Sequence, residues 1–201
     1  MPDLSAPSLR RAAQLCAATV LWNMTVGGAA VATAVATGSL SLIGFGINAV
    51  VDSSVSSLLV WRFRAEKAGH ANRATRVEEL ALRVAGAAFT IVAVYLVVRA
   101  SRSLATGHRA QSSLFGIAES VASLAILPYL AVAKYRLSAQ LGSRALRADS
   151  LLTTSGVALA AFALAGLLLQ RAVGWWWADP VAALVIAALL AWQGFDALRG
   201  R

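Results

Sequence analysis

The stretch AAQLCAATVLWNMTVGGAAVATAVATGSLSLIGFGINAVV (residues 12–51) decides the fold. It fills the whole interval between Arg11 and Asp52, forty residues without one charged side chain. A helix crosses the hydrocarbon core of a bilayer in about 20 residues, so a run of this length is predicted to cross twice. The turn falls at Thr37–Gly38–Ser39, which sets span one at 13–36 and span two at 40–61. A cleaved secretory signal does not fit, because its apolar core is only about 7–15 residues long.

Composition agrees with that reading. The 201 residues are 59% hydrophobic and 13% charged, with a mean hydropathy of +0.69. Soluble domains carry about 25% charged residues, so this chain has too little charge to cover a water-facing surface. The predicted class is all-α: a polytopic membrane protein in direct contact with the lipid bilayer. The net charge of +9 does not point to nucleic acid. The basic residues sit between apolar runs rather than on one stripe, as charges that set membrane orientation do. Cys16 is the one cysteine, which excludes an intramolecular disulfide and a thiolate metal cluster.

Further along, a polar segment at 62–79 reads as a loop with helical extensions. Span three is predicted at 80–100, span four at 112–133, and span five at 148–170. Residues 134–147 form a basic connector that breaks at Gly142–Ser143. Span six starts at Asp179–Pro180, with Asp179 as its N-cap and Pro180 at the first helical position, and ends near Leu198. Pro128 inside span four predicts a kink. Residues 1–11 then form a short amino-terminal tail, residues 12–201 a six-helix transmembrane domain, and no soluble regulatory domain is expected after it.

Lysines and arginines set the expected orientation. Fourteen lie at the two chain ends and in the 62–83 and 134–147 regions, against four on the opposite side. By the positive-inside rule both termini face the cytoplasm. Trp175, Trp176 and Trp177 then fall at the outer interface, where an aromatic belt is expected.

Polar groups inside the spans are where function is sought, because a buried charge is costly in lipid. Asp52 has no basic residue nearer in sequence than Arg62, and Asn48 lies four residues before it, so the two share one helix face. Asp149, near the cytoplasmic start of span five, repeats that spacing with Thr153. Oxygen ligands on two facing helices are what a hard or borderline divalent cation requires, and Asn48, Asp52, Asp149 and Thr153 are the candidate metal ligands. Plainer roles compete with this one. Asp52 can be a structural carboxylate, protonated or bonded to the adjacent serines and the backbone. Asp149 can cap its helix or pair with Arg144 or Arg147. Asn23 fits an interhelical hydrogen bond, and Glu119 fits a solvated position near the outer end of span four. His70 and His108 fall in loops on opposite sides, too far apart to share one metal within a subunit.

The segments GFGINAVVD (44–52), WRF (61–63), SRALRAD (143–149) and WWWADPVAALVIAALLAWQG (175–194) resemble the cation diffusion facilitators. The likeness covers nearly the whole chain and is greatest to short members without a cytoplasmic metal-binding domain. It implies a six-span, homodimeric divalent-cation transporter, zinc-type and proton-coupled, in a bacterial cytoplasmic membrane. Two departures bear on the site. Where the family places Asp-x-x-x-Asp in its second helix, this chain has Asn48 and Asp52. Where it places His-x-x-x-Asp in its fifth, this chain has Leu152 and Gly156. Asp149 matches the acid that precedes the fifth-helix ligands.

The resemblance therefore implies an altered, weaker site. The implied mechanism is alternating access, with Asp52 exchanging a proton for the metal. No bound cofactor is expected, only a transported divalent cation such as Zn2+. The alternative is a degenerate relative that does not transport and serves as a structural or regulatory membrane partner. An intramembrane enzyme is disfavoured: there is no His-Glu-x-x-His, no Gly-x-Ser-x-Gly, and no membrane histidine to act as a base.

Overall fold

The charge-free run folds as two spans, as its length requires. The first begins as α1 (Ala6–Trp22), passes through a π-helical stretch at Asn23–Gly27, and resumes as α2 (Gly28–Thr37). Gly38 ends it in the left-handed conformation at φ +74°, with its N–H on the Ala34 carbonyl, where an L side chain would be strained. After Ser39 the chain turns directly into α3 (Leu40–Lys67), then α4 (Ala71–Thr106), α5 (Leu114–Leu141), α6 (Arg144–Val173) and α7 (Ala178–Arg199). This computed structural model describes residues 6–67, 71–107, 110–111 and 113–199, and every regular element among them is helical. With α1, the π-stretch and α2 counted as one, six helices among the described residues are long and apolar enough to cross a membrane. His70 and His108 lie outside the described residues.

Several boundaries differ from the sequence expectation. The 62–79 segment is largely helical, since α3 continues to Lys67 and α4 starts at Ala71. The break at Gly142 stands where it was expected, with φ +62° and an N–H bonded to the Ser138 carbonyl, and the Ser143 hydroxyl caps α6 by accepting from the Leu146 N–H. α5, however, runs eight residues past its expected end at 133. Lys134 is therefore a helical residue and not part of a connector. The tally of basic residues loses one member and keeps its direction.

Asp179 also departs from its expected role. It lies in the first turn of α7, but its carboxylate accepts from the Leu40 N–H at 2.8 Å and from the Ser39 hydroxyl at 2.6 Å, with the Ser41 hydroxyl as a third donor. It thus caps α3, satisfying an N–H that has no partner within that helix. One carboxylate fastens the starts of spans two and six together.

α3 is the central helix. It buries 61% of its apolar window, against 28–39% for the other spans, and packs on span one, α4, α6 and α7, while α4 pairs with α7 and α5 with α6. The core around it is Phe45, Phe89, Leu96, Leu159, Leu167, Ile186 and Leu190. Large apolar residues such as Leu21, Val35, Ile91, Tyr129 and Trp192 face outward, as expected where the surrounding solvent is lipid. Trp175 and Trp177 are stacked with their rings 4.9 Å apart.

Close approach of span one to α3 depends on missing side chains. A Cβ on Gly27 would stand 2.5 Å from the Ala49 Cβ, and one on Gly46 2.7 Å from Val31 Cγ2 and 2.9 Å from the Gly27 carbonyl. Small residues of this kind let membrane helices pack backbone to backbone. That contact brings the π-stretch, with Asn23, against the part of α3 that carries Asp52.

Candidate functional site

Asn48, Asp52 and Ser56 follow one another at one-turn intervals on α3, while Asp149, Thr153 and Gly156 lie on the antiparallel α6. The two rows meet in register. Ser56 Oγ donates to Asp149 Oδ1 at 2.6 Å, Thr153 Oγ1 lies 3.4 Å from Asp52 Oδ2, and a Cβ on Gly156 would stand 3.5 Å from Asn48 Nδ2. Asn48, Asp52, Asp149 and Thr153 are all buried, at 0–2% exposure, so the fold brings the four candidate residues to one interface.

Their surroundings are uneven. Asp52 Oδ2 accepts from Asn23 Nδ2 at 2.7 Å, the interhelical bond that Asn23 was expected to make. A π-stretch inserts an extra residue into a helical turn and often marks a functional position; here it begins at Asn23 itself. Asp52 Oδ1 and Asn48 Oδ1 are buried with no hydrogen-bond partner. The flanking Ser53 and Ser54 do not serve Asp52, since each bonds a carbonyl of its own helix, those of Ala49 and Val50. Two oxygens one turn apart are thus left open on the central helix.

Around Asp149 the arrangement is closed. Lys134, fully buried on α5, places its Nζ 2.6 Å from Asp149 Oδ2, 3.1 Å from Thr153 Oγ1 and 3.3 Å from Ser56 Oγ. Cys16 Sγ lies 3.7 Å from the same carboxylate oxygen. The Thr153 hydroxyl also reaches its own-helix carbonyl at Asp149, 3.0 Å away. With one hydrogen to give, it serves either that carbonyl or Asp52. Arg147, one of the two partners foreseen for Asp149, instead stands over the Tyr135 ring at 5.7 Å. Asp149 is therefore neither a helix cap nor an interfacial ion pair, but half of an internal one.

Sequence patterning assigns Lys134 to a connector because a lysine near a span end normally extends its head group to the interface. One signal does point inward. Lys134 lies eight residues before Gly142 and Asp149 seven after it, and residues at nearly equal distances from a helical-hairpin turn come to similar depths on the two helices. Leu152 is drawn into the hydrophobic cluster with Leu159 and Ile186. Glu119 is buried rather than solvated, at 6% exposure, beside Thr33 of span one but outside hydrogen-bond geometry with it. Among the described residues no three His, Cys, Asp or Glu side chains converge to hold a metal ion. What converges is two carboxylates, one ammonium and a set of neutral oxygens.

The family model described as the cation efflux transmembrane domain matches residues 17–200. A curated relative, the cation-efflux pump FieF of Shewanella oneidensis, is 28% identical over 163 residues, which cover 79% of this chain and 55% of the pump. The chain thus spans about half the length of that relative.

Proposed function

This chain belongs to the cation diffusion facilitator, or cation efflux, family, and on that premise we propose that it exports a divalent metal cation across the membrane. The observation that carries the reading is the pair of open oxygens, Asn48 Oδ1 and Asp52 Oδ1, buried one turn apart on α3. A buried acceptor without a partner costs about 1–3 kcal/mol. A cation between α3 and α6 would satisfy both at once and offset the burial of the Asp52 charge.

The cargo class is zinc-like, ligated by Asp52 and Asn48 and completed by Asp149 or Thr153 once these are free of Lys134. A proton replaces the cation on Asp52 as the site turns from one face of the membrane to the other. The protein works as a homodimer in a bacterial cytoplasmic membrane with both termini inside. Proton-for-cation exchange of this kind needs one anionic side chain that alternates between cargo and proton, and Asp52 is the only carboxylate on the described part of α3 with an open oxygen.

A second reading, a relative that no longer transports, is favoured by Leu152, packed against the core, and by the Lys134–Asp149 pair. Purified protein in proteoliposomes decides between them. Flux is measured across a panel of divalent cations, with and without a pH gradient. Transport that an imposed gradient accelerates and that Asp52→Ala removes supports the proposal; no flux of any cation supports the second reading.

A further inference from the structure

Lys134 is held like a bound ion. Each of its three N–H donors has an oxygen to meet: Asp149 at 2.6 Å, Thr153 at 3.1 Å and Ser56 at 3.3 Å. Two of those residues, Asp149 and Thr153, are also the α6 candidates for a transported cation. A lysine head group is a compact point charge on a flexible four-carbon stem. The register of α5 carries it inward, since Leu127, Leu130, Ala131, Lys134, Leu137, Ser138 and Leu141 form the buried face of that helix while Tyr135 and Arg136 are exposed. There its head group meets the carboxylate of Asp149.

The charges sum simply. Asp52 and Asp149 supply two negative charges, and Lys134 returns one. A dication meets a neutralising pair of carboxylates only when the ammonium is elsewhere. We propose that Lys134 is an internal competitor for the cargo: its ammonium occupies the Asp149 half of the site, and a divalent cation gains that half only as the lysine withdraws. Lys134 is then a specificity-determining residue, one that lowers affinity for dications and ties their entry to a side-chain movement. The inference rests on the cation-transport reading of Asp52.

The test is calorimetric titration of Zn2+, and separately Cd2+, into the full-length protein in detergent, for the parent and for Lys134→Gln, Lys134→Met and Lys134→Arg. Lys134→Gln keeps a donor for Asp149 without the charge, so it remains informative if the Met variant fails to fold. The neutral variants are expected to bind dications at least about tenfold tighter than the parent, the low end of what close charge pairs contribute. Lys134→Arg should stay near the parent, and adding Asp149→Asn to Lys134→Gln should reverse the gain. Equal affinities for parent and neutral variants, or no binding by any of them, would overturn the inference. The reading of Asp52 fails separately, if Asp52→Asn leaves cation flux at the parent rate.

Discussion

Asp52 and Asp149 lie on facing helices of one buried site, and the protein holds them in opposite ways. Asp149 is fully engaged: Ser56 on one oxygen, Lys134 and Cys16 on the other. Asp52 is steadied on one oxygen by Asn23 and left open on the other. A carboxylate whose bonds are all made has nothing to offer a second cation until one of those bonds is released. One with an open oxygen keeps the capacity to bind. On α6 the carboxylate already holds an internal cation, the Lys134 ammonium, and on α3 one oxygen has no partner.

The largest effect should come from breaking the closed half. Lys134→Met leaves Asp149 charged and buried, which costs about 3–5 kcal/mol. A clear drop in the thermal unfolding midpoint in detergent is expected, with most of it recovered in Lys134→Met/Asp149→Leu. A single variant as stable as the parent would mean that Asp149 does not depend on Lys134, and the contrast would collapse.

Next is the support of the open half. Asn23→Ala removes a 2.7 Å hydrogen bond to a charged carboxylate, worth about 1.5–3 kcal/mol. It should lower both stability and cation flux, because Asp52 loses the donor that orients it; undiminished flux would show that Asp52 needs no such support. Asn48→Asp sharpens the comparison from the other side. It adds a second carboxylate beside Asp52, and dication affinity measured by calorimetry should rise about tenfold, or roughly 1.4 kcal/mol. Affinity that falls instead would remove Asn48 from the site.

The smallest effect is expected at Gly156. A Cβ there meets only ordinary contacts, 3.5 Å from Asn48 Nδ2 and 3.6 Å from Leu127. Gly156→Ala should leave stability unchanged or raise it by less than about 1 kcal/mol through helix propensity. The same change at Gly27, where the Cβ would lie 2.5 Å from Ala49, should separate span one from α3. A clear loss at Gly156 would show that α3 and α6 fit more closely at Asn48 than the open oxygen implies.

The six spans were legible because hydropathy and the absence of charge act over twenty residues at a time. Gly142–Ser143 was legible as a break because a left-handed glycine followed by a capping serine is a local signal. Asp52 stood out because a charge in an apolar run has few places to go. Lys134 was hidden by the rule that made the topology readable. Basic residues at span ends are ordinarily interfacial, and only the α5–α6 pairing shows that this one turns inward to an acid on the neighbouring helix. Asp179 was misassigned for a related reason. An acid before a proline is a good cap for its own helix, whereas the bond to Leu40 and the hydroxyls of Ser39 and Ser41 depends on a helix 140 residues away in the chain.

The most direct measurement is Zn2+ flux into proteoliposomes by the parent and by Asp52→Asn, at matched amounts of folded protein. Asparagine can keep an acceptor for Asn23 while removing the charge. Asp52→Asn is expected to fold like the parent and to carry no cation flux above that of empty vesicles. Flux at the parent rate would contradict it, and with it the claim that the open carboxylate on α3 is what this membrane protein uses to move an ion.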